Sequence, residues 1–370
     1  MQSASTTNTP KDWTNILFLT LTPVIGIPVL ALYTWHVGFA PWMFVLFMVS
    51  YSLVGLSVCA GYHRYFAHKS YECAGVVQVF LAVFGAMATQ NSILRWASGH
   101  RRHHAHAETE WDPYAITRGF WWAHFIWIFY PNEDRFSNVR DLMHNPIVRW
   151  QHRWYKALVI VGGFGIPTLI GWFCGDAIAG LLWGGFLRIV VVHHSTFLVN
   201  SLAHHLGERT YDEEATARDN WAVALLTFGE GYHSFHHRFP ADFRNGVRWY
   251  AWDPAKWFIR TLQVVGLAHK LNETEAPRIE HARVKTRVKE LEKLIAKAEH
   301  THGAEIRARI QRVRESFDAA LALWHKQAEE RSQGLSDSWR ETRRNYRARL
   351  KEARRDWNLV LLACKQLTSQ

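Results

Sequence analysis

Four long apolar runs frame this chain. Ile16 to Trp35 and Trp42 to Tyr62 come first; Ala157 to Cys174 and Ala177 to about Ala203 follow, divided by a Gly175-Asp176 turn. Each is nearly uncharged and close to the ~20 residues that a helix needs to cross a bilayer. The polar segment Met1 to Thr14 has no small-residue cleavage site behind a short apolar core, so no signal peptide is expected. Two other apolar stretches are too short to span. Ala74 to Ala88 lies between histidine-rich segments and reads as a buried or re-entrant helix, because crossing would part those segments. Gly119 to Tyr130 (GFWWAHFIWIFY) suits the membrane interface through its tryptophans. Arg188, His193 and His194 fall inside the fourth run and are expected to face a protein interior rather than a metal.

Past Pro277 the period changes. Apolar residues recur at Val284, Val288, Leu291 and Ile295, at Ile306, Ile310, Val313, Phe317, Leu321 and Trp324, and at Trp339, Tyr346, Leu350, Ala353 and Trp357. Alternating three- and four-residue steps mark amphipathic helices with a coiled-coil-like seam, in three segments divided at Gly303 and Gly334. The pattern predicts three domains: a polar segment 1–14, a membrane domain 15–277 and a basic helical coiled-coil extension 278–370. The net charge of +11 sits mostly in that extension, where 22 Lys/Arg face 13 Asp/Glu. A solvated helical hairpin or bundle, or contact with anionic headgroups, accounts for this charge. Nucleic acid is excluded as a partner by the many acids and the membrane tether; self-association through the tail helices is expected. Cys59, Cys73, Cys174 and Cys364 are scattered, with no CxxC pair, which argues against a disulfide framework or a thiolate metal site.

The candidate chemistry lies in nine histidines in four clusters: HRYFAH (His63, His68), HRRHH (His100, His103, His104), NSLAHH (His204) and HSFHH (His233, His236, His237). Neutral imidazole suits iron, copper and zinc. One ion rarely takes more than about six ligands, so nine histidines imply two metals. In each HxxHH the first and last rings share a helical face, while the middle one points about 100° away. Such a triplet can serve two adjacent ions. Structural zinc closes with four ligands and usually recruits cysteine, so an oxidising pair of irons fits better. Glu108, Asp112 and Glu230 stand where they can accept ring N–H groups and orient the histidines. His144, His152, His269 and His325 read as ordinary residues.

These motifs, with ETEWDPY…RGF downstream of the second and GEGYHSFHHRFP around the fourth, strongly resemble the membrane-bound stearoyl-CoA-type (delta-9) fatty acyl desaturases over about residues 15–270. The resemblance implies an all-α, four-helix transmembrane bundle under a cytosolic histidine-rich di-iron cap, with both termini cytoplasmic. It implies that His63, His68, His100, His104 and His237 hold one iron. His103, His204, His233 and His236 would hold the other, with Asn200 positioning a water on it. Gln90, Trp96 and Thr196 match positions where the family bends its acyl chain in a closed tunnel. The implied activity is desaturation of a long saturated acyl chain by two iron ions with O2 as co-substrate, between carbons 9 and 10. A two-electron donor is also needed. The chain has no ferredoxin cysteine cluster, no flavin-binding glycine motif and no cytochrome b5 haem pattern. The donor is therefore expected to be a separate ferredoxin-, flavoprotein- or cytochrome b5-like protein.

Two positions depart from the animal members. Their Arg-Asp pair before the second cluster, which meets the CoA headgroup, is replaced by Ser98 and Gly99, and a later basic pair is replaced around Pro131 and Asn132. The carrier is thus left open between CoA, acyl carrier protein and a glycerolipid. A membrane hydroxylase or alkane monooxygenase is the rival enzyme, and a metal-binding scaffold is the rival non-enzyme.

Overall fold

The computed structural model describes residues 10–130, 136–297, 303–332, 341–353 and 355–357. They form two compact units: Met1–Glu208 with Thr216–Glu273, and Arg209–Ala215 with Thr274–Gln370.

In the first unit α1 (Trp13–Val37) opens at Asp12, whose carboxylate accepts the Asn15 N–H at 3.1 Å. Thr20 Oγ1 donates to Ile16 O of the same helix at 2.6 Å, leaving no orphan hydroxyl on an apolar surface. α2 (Pro41–Leu56) starts on a proline and runs on as a π-helical stretch, Ser57–Ala67. A two-residue strand β1 (Glu72–Cys73) leads to α3 (Gly75–Ala86), α4 (Ile93–His106), α5 (Phe120–His124) and α6 (Arg140–Met143). α7 (Pro146–Ala157) passes through π-helical Leu158–Gly165 into α8 (Ile166–Phe173). α9 (Ala177–Gly180) passes through π-helical Leu181–Leu187 into α10 (Arg188–His205). α11 (Trp221–Leu226), α12 (His233–Arg238), α13 (Pro254–Val264) and β2 (Ala268–His269) complete the unit.

Joined end to end, these elements give four helices long and apolar enough to cross a membrane among the described residues: Trp13–Val37, Pro41–Ala67, Pro146–Phe173 and Ala177–His205. The chain is an integral membrane protein. α3 has 12 residues, about 18 Å of helix against a hydrocarbon core of about 30 Å, so it stays on one side. The third spanning helix starts 11 residues before the apolar run that announced it. Its early turns carry Arg149, Gln151, His152 and Arg153, which hide the helix from a hydropathy reading. They are stabilised individually: Asn145 caps the N-terminus by accepting Ile147 N–H at 2.9 Å, and buried Gln151 accepts Ile93 N–H at 3.1 Å and donates to Tyr62 Oη at 2.6 Å. The β1–β2 pair, antiparallel with Glu72 opposite His269, was not announced by the sequence pattern, since two residues carry no periodicity.

Arg188 is fully buried and donates to Gly163 O at 2.7 Å and Gly184 O at 3.0 Å, and also to Met87 O. His193 meets Ala88 O at 2.9 Å, and His194 Nδ1 meets His124 Nε2 at 3.1 Å. All three have protein partners and stand outside the histidine sets described below.

The second unit contains α14 (Ala276–Lys297), α15 (Gly303–Ser332) and a helical segment 341–353. Val284, Val288, Ile310, Val313, Phe317 and Ala353 form its core, with Leu350 and Trp357 packed against it. Trp324 meets Tyr346 at 5.2 Å. Trp339 and the side chains of Leu291, Ile295 and Ile306 lie outside the described residues. Segment Arg209–Ala215 belongs here because Lys289 and Lys293, one turn apart on α14, each approach the buried Glu213 carboxylate at 3.2 Å.

Candidate metal centre

All nine clustered histidines converge. Those of the first cluster come from the π-helical end of α2 and the residue after it, those of the second from α4, His204 from α10 and the fourth cluster from α12. Their ring nitrogens make two sets, each within 4.8 Å of one another: His63, His68, His100, His104 and His236; and His103, His204, His233 and His237. The Nε2 atoms approach in a chain, with His63–His236 at 3.0 Å, His236–His104 at 2.8 Å and His68–His100 at 2.8 Å. In the second set His204–His233 and His233–His237 are both 3.0 Å apart, and His103–His237 3.2 Å.

Hydrogen bonds alone do not satisfy this packing. His236 Nε2 faces two other Nε2 atoms, and so does His233 Nε2, yet a neutral ring nitrogen is either a donor or an acceptor. A cation accepts every lone pair at once. Nitrogens about 2.1 Å from a shared ion and at right angles to one another stand about 3.0 Å apart, the spacing observed here. The donor sets fit two metal ions.

The grouping corrects the ligand sets implied by resemblance, in which His237 stood in the first set and His236 in the second. One turn of helix separates His233 from His237, so both rings face the second set, while His236 turns to the first. α4 obeys the same rule in mirror order: His100 and His104 face the first set and His103 the second.

The outer partners fix which ring nitrogen faces inward. Asp112 Oδ1 and Oδ2 lie 2.9 and 3.0 Å from His103 Nδ1. Glu230 Oε2 lies 2.7 Å from His63 Nδ1. An N–H held on Nδ1 leaves the Nε2 lone pair for a metal. Glu108 touches no ring. Its carboxylate accepts the Thr216 N–H, and Thr216 Oγ1 meets His204 Nδ1 at 2.7 Å, so Glu108 acts one residue removed. Thr216 was missed because nothing in its polar loop marks it.

Arg64 was missed as well. Fully buried, it donates to Glu230 Oε1 at 2.9 Å and Phe243 O at 2.8 Å and pairs with Asp253 at 2.9 Å. Burial would raise the Glu230 carboxyl, but His63 and Arg64 outweigh it and hold it below the usual range. The GEGYH glycines belong to this packing. A Cβ on Gly231 would stand 2.1 Å from Ala224 N, and Gly229 (φ +108°) would place one 2.5 Å from Asp253 Oδ1. Burial, reinforced by neighbouring imidazoles, pushes His100, His104, His233, His236 and His237 well below the ordinary imidazole range; it does the same to His68, with Arg101 adding to the effect. They are neutral at physiological pH, as ligands must be.

A cavity of about 630 Å³ meets the site, with His63, His100, His103 and His233 in its wall. Gln90, Trp96 and Thr196 line it as one group: Gln90 Nε2 donates to Thr196 Oγ1 at 3.0 Å and Trp96 Nε1 to Gln90 Oε1 at 3.3 Å. Trp96 also stacks on His100 at 4.9 Å. Asn200 lines the cavity one turn before His204. Gly99 lines it too, whereas Ser98 is buried and donates to Asn138 Oδ1 at 2.6 Å. Pro131 and Asn132 lie outside the described residues.

Comparison with known proteins agrees with this geometry. The family model "Fatty acid desaturase" matches residues 40–264. The chain belongs to the fatty acid desaturase family. It is 38% identical over 293 residues to acyl-CoA desaturase 1 of Saccharomyces cerevisiae, covering 77% of this chain and 56% of that one. A probable acyl-CoA desaturase of Schizosaccharomyces pombe is 38% identical over 290 residues, covering 77% and 60%. An sn-2 palmitoyl-lipid 9-desaturase of Nostoc sp. is 34% identical over 278 residues, covering 71% and 92%. The chain thus spans little more than half the length of the two yeast relatives and most of the Nostoc one. All nine clustered histidines fall within the matched residues 40–264.

Proposed function

We propose that this chain catalyses the oxygen-dependent desaturation of a long saturated acyl chain, between carbons 9 and 10, giving a cis double bond. The observation that carries this reading is the juncture of two all-histidine sets with a cavity whose wall holds the Gln90–Thr196–Trp96 group. His63, His68, His100, His104 and His236 would hold one iron and His103, His204, His233 and His237 the other. Bound there, the iron pair would supply the oxygen-activating redox chemistry. Two hydrogens, with two electrons, leave adjacent methylenes as the C–C bond becomes C=C; two more electrons come from a separate donor protein and two protons from solvent, so that one O2 yields two waters.

The protein's share is placement. The cavity, within the roughly 300–1,000 Å³ range of small-molecule sites, would keep two adjacent methylenes beside the histidines. The Gln90–Thr196 bond fixes the wall where the acyl chain bends. Asn200, one turn from His204, orients a water at the second set. The carboxylates of Asp112 and Glu230 keep the rings from rotating.

Arg95 and Lys156 line the same cavity and carry exposed charge. They offer a phosphate-bearing carrier the cations that Ser98 and Gly99 do not. The yeast relatives are acyl-CoA desaturases by name and the Nostoc relative acts on a lipid-linked chain, so a glycerolipid-linked substrate is the second reading. We place the histidine sets and both termini on the cytoplasmic side, with residues 15–277 as the catalytic domain and 278–370 as an accessory helical extension.

Expression in a host unable to make unsaturated acids tests this reading. A monounsaturated product located at carbon 9 by mass spectrometry is the expected outcome. An alcohol in its place makes the protein a hydroxylase, and headgroup-resolved lipid analysis separates a thioester substrate from a glycerolipid.

A further inference from the structure

Much of the exposed apolar surface of the first unit lies on its spanning helices. One patch lies elsewhere. Trp221 and Leu225 on α11, Trp249 in the loop after α12, and Trp257, Val264 and Val265 on or just past α13 are all exposed, Trp249 by 84% and Val264 by 80%. Contacts link Leu225, Trp249 and Trp257 through Trp252, while Trp221 and Val264 follow on the same helix faces at four- and seven-residue spacing. Trp252 Nε1 donates to Leu225 O at 3.3 Å, the Trp252 and Trp257 rings meet at 5.6 Å, and Trp257 Nε1 donates to Trp249 O at 3.4 Å.

Two features tell this surface from a wet one. Several of its polar atoms are already engaged: the Trp252 and Trp257 indole N–H groups donate within the patch, and Thr261 Oγ1 donates to Trp257 O at 2.9 Å. Removing water from it therefore breaks no hydrogen bond of theirs to solvent. α13 is also apolar on two sides. Ala255, Ile259 and Leu262 face the core, while Trp257 and Val264 occupy the outer stripe. Exposed Arg260 and Thr261 complete an amphipathic helix with tryptophan on its apolar side, the pattern of a helix that lies in the plane of a membrane interface.

We propose that α11, the Trp249 loop and α13 are seated in the interface of the same bilayer that the four helices cross. Continuity selects lipid as the occupant. The Tyr51 hydroxyl of α2 donates to Leu226 O at the end of α11, and α13 packs on α2. The patch thus borders a spanning helix whose apolar Phe44, Val45 and Val49 are exposed. Tryptophan is the residue enriched at that depth. Exposed Arg248, bonded to Tyr250 Oη at 2.6 Å, supplies a cation for an anionic headgroup. The consequence is functional. α12, which carries His233, His236 and His237, lies in the chain between α11 and α13, so the two seated helices set the depth of the histidine sets at the bilayer surface.

The test uses the full-length protein in lipid nanodiscs, with Cys174 and Cys364 changed to serine and an environment-sensitive fluorophore on Val264→Cys or, separately, Trp249→Cys. Nitroxide lipids labelled near the headgroup should quench both positions at least twofold more than aqueous iodide does. Strong iodide quenching with none from lipid would place the patch in water and overturn the proposal. Disulfide cross-linking between two copies of the unlabelled Val264→Cys variant, with no lipid quenching of the labelled one, would overturn it in favour of a protein interface.

Discussion

In the first unit the fully buried Arg64 meets Glu230 and Asp253, and Glu230 in turn meets His63. In the second, the buried side chains are Val288, Ile310, Val313 and Phe317, while ion pairs such as Arg287–Glu290 lie at the surface. The contrast teaches what each fold is for. Buried ion pairs repay little of their desolvation cost and are weak evidence of stability, but they fix side-chain positions to fractions of an ångström. The second unit needs only matching apolar faces, which stabilise helices without specifying a site. Glu213 is its buried carboxylate among the described residues, held by Lys289 and Lys293.

The contrast predicts unequal consequences of mutation. Alanine at His204 or His233 removes one nitrogen of four, and near-complete loss of activity with loss of that set's metal is expected. Phe317→Ala, costing about 3–5 kcal/mol within its own core, should leave the metal content intact. Metal analysis of the purified variants decides the matter; equal metal loss in both would erase the distinction. The same measurement on His236→Ala and His237→Ala should empty different sites.

Smaller changes should sharpen it. Asp112→Asn and Thr216→Val remove partners that hold His103 and His204, and each is expected to lower metal affinity by roughly 10–100-fold. Unchanged metal affinity in both would mean that the rings are held by packing alone.

Acid separates the units next. His68, His100, His104, His233, His236 and His237 titrate well below an unfolded value near 6.5. Above that pH both states are neutral and nothing is lost. As the pH falls through about 6.5, the unfolded chain binds protons that the folded chain cannot, so the folded state weakens. Metal-stripped protein should therefore melt at a lower temperature at pH 5.5 than at 7.5. An unchanged or higher melting temperature would contradict buried, neutral rings.

The mildest expected effect comes from ending the chain near Pro277. No clustered histidine lies beyond it, so metal should stay and activity should fall by no more than a few-fold. Glu213 loses both lysines, and faster proteolysis within Arg209–Ala215 is the expected signature. Metal loss in the truncated chain would break the comparison outright.

Much of this was legible before any coordinates. The four spans show as uncharged runs because lipid offers no partner for a polar group, and α3 is marked as too short. The early turns of α7 escaped because Gln151 is satisfied by Ile93 and Tyr62, residues far off in the chain. Asp112 and Glu230 were legible as carboxylates beside histidine clusters. Arg64 and Thr216 were not, since an arginine beside His63 and a threonine in a loop look ordinary until their partners arrive.

The sequence by itself pointed to two histidine sets and determined which rings share a face of each helix. In HRRHH and HSFHH the first and last rings must share a side, because 3.6 residues make a turn. Which set each face joins was decided by tertiary structure alone. His236 meets His104 across 132 positions of chain, and His103 meets His237 across 134. Helical period fixes direction along one element and says nothing of how two elements are rotated against each other. That rotation is set by packing: Gly231 lets α11 close on the fourth cluster, and Arg64 ties Glu230 to Asp253.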